Sequence, residues 1–182
     1  NRDFTRKPPP YALPGARAPL LSVMARPWKP SVTVAAVVER DGRFLMVEEE
    51  TPDGVRLNQP AGHLDPGETL AQAAAREAIE ETAHPFRPMA LLGVYVARSV
   101  PHDEPEGVTY VRFAFTGELG PREPGRALDD GILRVLWLAA DEIRAREREH
   151  RSPLVMKCID DYLAGRRFPL DFVYTHASAL AA

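Results

Sequence analysis

Cysteine is nearly absent: Cys158 is the one thiol in 182 residues, so no internal disulfide can form. That usage suits a reducing compartment, and a cytoplasmic protein is expected. Cys158 itself reads as a small buried hydrophobe. No apolar run approaches the roughly 18 residues that a membrane-spanning helix needs. Excess charge of one sign is lacking too. The net charge is −3 and the pI about 6.0, so there is no broad basic field for nucleic acid. The histidines His84, His150 and His176 show no metal-ligand spacing. What remains is ordinary for one soluble globular domain, with 45% hydrophobic and 27% charged residues.

The first 30 residues differ from the rest. They hold Pro8, Pro9, Pro10, Pro14, Pro19, Pro27 and Pro30 among scattered arginines and show no periodicity. Residues 1–30 are therefore expected to be an extended or disordered extension. The short apolar piece Ala18–Val23 is too broken for a signal peptide. Because the chain opens on Asn1, Met24 is read as a native start, with residues 1–23 upstream of it.

Regular patterning begins at Ser31, and the domain is expected to span 31–173, followed by a flexible tail at 174–182. Val32–Val38 is a β-branched strand, and Asp41-Gly42 is a hairpin turn. A second strand runs from Arg43 to Glu49, and Asp53-Gly54 marks another turn. Leu57-Asn58-Gln59 forms a short strand before Pro60. A loop over 61–67 leads to a helix over 69–83. Strands follow over 89–99, 108–119 and 135–138. Two helices close the domain, over 140–148 and 153–164. Strands mixed with a few helices, without alternation throughout, indicate an α+β fold.

The chemistry concentrates in one stretch. Gly62, Glu68, Arg76, Glu77, Glu80 and Glu81 stand at spacings of glycine, five residues, glutamate, seven residues, Arg-Glu, two residues, Glu-Glu. Six fixed positions at about 6% usage each arise by chance at roughly 10⁻⁷ per start site, which makes the pattern specific. At about 100° per residue, Glu81 falls about 40° from Glu77 on one side and Glu80 about 60° on the other. Arg76 is the i,i+4 neighbour of Glu80. Ala71, Ala75, Ala78 and Ile79 form a separate small-residue stripe on which the helix can pack closely. Three glutamates within one turn repel, and Arg76 alone is too little positive charge for three. Hard divalent cations take oxygen ligands in such a cluster.

This stretch resembles the signature of the Nudix hydrolases, which cleave nucleoside diphosphates linked to another group. Every charged position of that signature is filled. Two uncharged ones depart: the usual glycine near the end is Ala83, and the following apolar residue is His84. Ala83 is expected to let the helix run on toward Pro85, because a left-handed turn there costs a non-glycine about 1 kcal/mol. The likeness extends from about Met24 to Val173 and is strongest to the NudJ-type phosphatases of that family. It is carried by Pro27–Val34, by Leu57–Leu64, by Arg151–Val155 and by Gly165–Leu170. One position breaks the pattern, with Leu57 where that group has tryptophan. If that ring stacks on the substrate, Trp28, Tyr95 or Phe113 would have to replace it.

The resemblance implies a Nudix-type α/β/α sandwich with a mixed β-sheet. It implies an enzyme that hydrolyses nucleoside di- and triphosphates or thiamine-type pyrophosphates with Mg²⁺ or Mn²⁺. Glu77, Glu81 and Glu80 would hold metal with the carbonyl of Ala61. Arg76 would orient the carboxylates, and Glu68 and Gly62 would support them. Glu80, Glu77 and Arg76 are the catalytic candidates. The general base stays open among Glu80, the loop His102–Glu106 and the pair Asp129-Asp130. Phosphate-binding candidates are Lys29, His63 and Arg151, then Arg43, Arg98 and Arg112. The partner is a small phosphorylated substrate, not nucleic acid or membrane, and the protein is a monomer or small homo-oligomer. The alternative is a catalytically silent ligand-sensing domain, against which the complete carboxylate set argues.

Overall fold

The computed structural model describes residues 28–100 and 106–181. The Pro-rich segment up to residue 27, Met24 included, and the stretch from His102 to Pro105 lie outside them. Eight strands and three helices follow in chain order. The strands are β1 (Ser31–Ala36), β2 (Glu39–Arg40), β3 (Arg43–Thr51), β4 (Gly54–Asn58), β5 (Ala61–His63), β6 (Phe86–Ser99), β7 (Val108–Leu119) and β8 (Ile132–Ala139). The helices are α1 (Leu70–Thr82), α2 (Ala140–Ala145) and α3 (Leu154–Leu163).

Two sheets form. One has the order β5-β1-β7-β6, with β1 and β7 parallel and the other pairs antiparallel. The other groups β2, β4 and β8 around β3, all antiparallel. The β2–β3 hairpin turns on Asp41 and Gly42, both at positive φ, the two-residue turn that matches strand twist.

Strand alternation divides the core in two. Val34, Ala36 and Val38 point with Leu45, Leu91 and Phe115 toward the alanines Ala73, Ala74 and Ala78 of α1. Ala35 and Val37 point the other way, with Phe44, Met46 and Leu92, toward Val155, Cys158 and Ile159 of α3. The sheets therefore lie between α1 and the pair α2–α3, an α+β sandwich with a mixed sheet. Each large apolar side chain buried in it contributes about 1.5–3 kcal/mol. Cys158 is fully buried, as its composition suggests.

The structure lengthens three expected strands, with β4 starting at Gly54, β6 at Phe86 and β8 spanning Ile132–Ala139, and departs from the sequence reading in four further places. Residues 61–63 are not loop but the short strand β5, paired with β1. Helix α1 does not run on past Thr82: Ala83 adopts φ 58°, ψ 21° and closes the helix in the left-handed region that glycine would normally fill. The loop beyond fixes this ending, because the N–H of Glu123 donates to the carbonyl of Ala83 at 2.7 Å. His84 supports it by donating from Nδ1 to the carbonyl of Gly120 at 2.8 Å. Helix α2 stops at Ala145, and a 3-10 turn takes over at Glu147–Glu149. Lastly, α1 is rotated from the expected packing. Its buried residues are Ala73, Ala74, Glu77, Ala78, Glu81 and Thr82, while Ala71, Ala75 and Ile79 are half-buried. Two of the glutamates face into the fold.

After α3 the chain returns across the molecule. Phe168 bridges to Leu91. Val173 and Thr175 line a shallow pocket together with Thr69, Leu70 and Ala71 at the start of α1.

Candidate active site

Helix α1 begins with a capping box. Thr69 accepts from the N–H of Gln72 at 3.1 Å, and Gln72 accepts from the N–H of Thr69 at 2.9 Å. This sets the first turn, and with it the positions of Arg76, Glu77, Glu80 and Glu81 one and two turns on.

Arg76 is a hub. Its guanidinium donates to both oxygens of Glu68 at 3.0 and 2.8 Å, to Glu77 at 2.8 Å, to Glu80 at 3.0 Å and to the carbonyl of His63 at 2.9 Å. The bidentate bond to Glu68 is the strong form of such a pair, and it lowers the Glu68 carboxyl below the usual range. Glu68 also accepts from the N–H of Asp65 at 2.8 Å, which ties the turn before α1 to the same arginine.

Glu81 stands apart. It is 8% exposed, and its bond is to the N–H of Ala61 at 3.0 Å. No cation partners it among the described residues. Burial, reinforced by Glu49, Glu77 and Asp129, pushes its carboxyl up to about 9 despite the Ala61 bond. Glu77 is also 8% exposed, and burial raises its carboxyl although Arg76 opposes the shift. Gly62 lies beside it in β5. A Cβ at Gly62 would occupy the place of the Glu77 carboxylate. Gly62 therefore makes room for Glu77 and does not shape a turn, since its φ is not positive.

Among the described residues, no three His, Cys, Asp or Glu side chains already converge as a finished metal cage. Glu77 and Glu80 turn toward Arg76 instead. The donor set still suits a hard cation. It is all oxygen, two of its carboxyls are buried, and one of those, Glu81, has no ion-pair partner among the described residues. Glu77, Glu81 and Glu80 are the residues that could hold such an ion. The structure assigns the N–H of Ala61 to Glu81, so only its carbonyl oxygen would remain for metal.

Beside the carboxylates opens a cleft of about 260 Å³. His63 and Arg151 line it, as do Arg98 and Arg112. Arg151 is held by its N–H, which donates to the carbonyl of Leu57 at 2.9 Å, and its side chain lies 3.8 Å from Glu49. Lys29 is exposed and does not line the cleft, and Arg43 pairs with Glu142. Leu57 is fully buried, so its side chain meets no substrate. None of the expected replacements stands in the cleft. Trp28 is exposed outside it, Tyr95 donates to buried Asp161, and Phe113 packs toward the α1 core. The aromatic groups in the cleft are His63 and Tyr110, their rings 6.4 Å apart. Sequence reasoning passed over Tyr110, Glu49, Asn58 and Thr33. Asn58 stood in a quoted segment, and only its neighbours in space reveal what it touches.

Of the base candidates, Glu80 is engaged by Arg76. Asp129 is brought close by its N–H, which donates to the carbonyl of Glu80 at 3.0 Å, and its charge acts on Glu77 and Glu81.

The model of the NUDIX domain family matches residues 27–158, most of the chain and all of this site. The chain belongs to the Nudix family. It is 39% identical over 146 residues to phosphatase NudJ of Escherichia coli strain K12, covering 80% of this chain and 92% of that protein. Phosphatase NudJ of Shigella boydii matches to the same extent. A solved Nudix hydrolase from Nitrosomonas europaea is 50% identical, with a TM-score of 0.76, covering 81% of this chain and 98% of that one. The protein is thus a Nudix hydrolase acting on phosphate or pyrophosphate bonds of small phosphorylated substrates, in a family that generally uses divalent cations. No helix among the described residues is long and apolar enough to cross a membrane.

Proposed function

We infer that the protein is a Mg²⁺-dependent hydrolase of nucleoside di- and triphosphates or thiamine-type pyrophosphates, with Mn²⁺ as a substitute ion. The observation that carries this is Glu81, a buried carboxyl with no ion-pair partner among the described residues, one helical turn from a second buried carboxyl at Glu77. A buried charge is costly unless paired or metal-bound. Glu77 and Glu81 would hold the ion, with Glu80 and the carbonyl of Ala61 beside them. Such an ion supplies charge neutralisation on the phosphates and a bound water of lowered pKa.

The chain's own groups do the rest. Arg76 fixes Glu77 and Glu80 and is itself fixed by Glu68, so the carboxylates arrive oriented. Asp129 stands where it can accept a proton from water near Glu77 and Glu81. Arg151 and His63 line the path of the substrate's remaining groups. The cleft's arginines attract a polyphosphate that the acidic helix would repel. The names of the NudJ relatives support the phosphatase activity proposed here.

The test is release of phosphate or pyrophosphate from a panel of nucleotides and thiamine pyrophosphate, with Mg²⁺ and with chelator, both products being identified. Metal-dependent turnover supports the proposal. Tight binding without turnover on any substrate would point to a ligand-sensing domain instead.

A further inference from the structure

One row of side chains crosses the first sheet. His63, Thr33, Arg112 and Tyr95 are register partners on β5, β1, β7 and β6, so they share a face. Thr33 and Arg112 form the middle of this row, and both line the cleft. Each is 7% exposed. The Thr33 hydroxyl has no hydrogen-bond partner among the described residues. Arg112 donates among them only to Asn58, at 3.4 Å. A guanidinium carries five N–H donors, and burying it is costly unless they are used. Asn58 gives its own amide N–H to Glu49 at 3.1 Å, so it stands between Arg112 and that carboxylate. The arrangement is a buried cation, opposed by Glu49 and Glu81 only through longer-range charge, and a buried hydroxyl, both short of hydrogen-bond acceptors among the described residues, at the wall of a cleft whose other cations are Arg151 and Arg98.

We propose that Thr33 and Arg112 form an anion subsite that holds the phosphoryl group of the substrate remote from the carboxylate face. This deepens the hydrolase reading above and rests on it. A phosphoryl group brings several acceptor oxygens, enough for both the Arg112 fork and the Thr33 hydroxyl. Binding at this subsite is made in ground state and transition state alike, so it sets KM more than kcat. Thr33 and Arg112 are therefore specificity residues and not catalytic ones. Substrates with a further phosphoryl group beyond the bond cleaved are preferred over those without it.

Thr33→Val is the decisive variant. It keeps the shape and removes a hydroxyl that has no partner, so stability holds or rises. The expected result is a KM raised about fivefold to tenfold for the best substrate of the panel, with kcat nearly unchanged. Arg112→Gln is expected to raise KM further. If that variant does not fold, Thr33→Val decides alone. A second arm needs no turnover. Inorganic phosphate in chelator should raise the melting temperature of the wild-type chain and of Glu81→Gln, and raise that of Thr33→Val less. A wild-type KM and wild-type phosphate response in Thr33→Val would overturn the subsite. A weakened phosphate response with KM unchanged would also overturn it, marking a site for released phosphate only. Absence of metal-dependent turnover in the wild type would instead sink the hydrolase reading, and the phosphate arm would still report on Thr33.

Discussion

At Gly62 and Glu77, one hydrogen atom in place of a methyl group decides where a carboxylate can lie. Because the colliding group is the flexible end of Glu77, Gly62→Ala should fold normally while displacing that carboxylate from Arg76. The expected outcome is a retained fold with a lowered melting temperature, since a buried carboxylate loses its partner, and a kcat lowered about tenfold to a hundredfold, read by steady-state kinetics with saturating metal. Glu81 gives a prediction in pH. Its carboxyl is raised from 4.5 to about 9 in the folded, metal-free chain, so the folded state holds a proton that the unfolded state has lost between those values. Stability from this group is present below about pH 4.5 and is lost as pH rises toward 9. Urea denaturation in chelator should show that decline, and Glu81→Gln should flatten it. Saturating Mg²⁺ should offset the decline in the wild type alone, because an ion binds the charged form. The six motif residues were legible from spacing, and for Arg76, Glu77, Glu80 and Glu81 the reason is that side chains on one helix keep a fixed angular relation. Glu49, Asn58, Thr33, Tyr110 and the burial of Arg112 were not, because they meet only when separate strands pair. In sequence, Thr33 and Arg112 are merely two residues of β-rich runs.

Helix α1 shows what an element adds to its residues. The Thr69–Gln72 capping box fixes its start, and Thr69→Ala should cost about 1 kcal/mol. In a chain of this size that lowers the melting temperature by roughly 2–4 °C, measurable by circular dichroism. The helix itself was readable from its period, but its rotation was not. The period places Ala71, Ala75, Ala78 and Ile79 on the packing face. Of these the sheet fully buries only Ala78, and it takes in Ala73 and Ala74 together with Glu77 and Glu81. Ala83 teaches the same lesson at the other end. Intrinsic preference favoured a helix that continues, and bonds from the loop over 120–123 overrode it. Strand β5 escaped notice because three residues are too few for alternation to show.

Over the whole molecule, the two-sided packing of the sheets brings the acidic helix and the basic cleft together. The α+β class, most strand positions and the order of elements were readable, since hydrophobic period survives in the linear chain. The pairing of β1 with β7, from Ser31 opposite Tyr110 to Ala36 opposite Phe115 and so across about half the domain, was not, and that pairing creates the cleft floor. A negative helix and a positive cleft on neighbouring walls suit a substrate that carries negative charge to both, one wall through metal and the other directly. Raising ionic strength should therefore raise KM more than it lowers kcat, as a salt titration of the wild-type enzyme would show. The buried carboxyls of Glu77 and Glu81 are proposed to hold the catalytic ion. The most direct test is the Mg²⁺ dependence of phosphate release by wild type and Glu81→Gln side by side, with folding confirmed by circular dichroism. The expected kcat is at least about a hundredfold lower in the variant, with the fold intact. Undiminished, metal-dependent turnover by Glu81→Gln would contradict it.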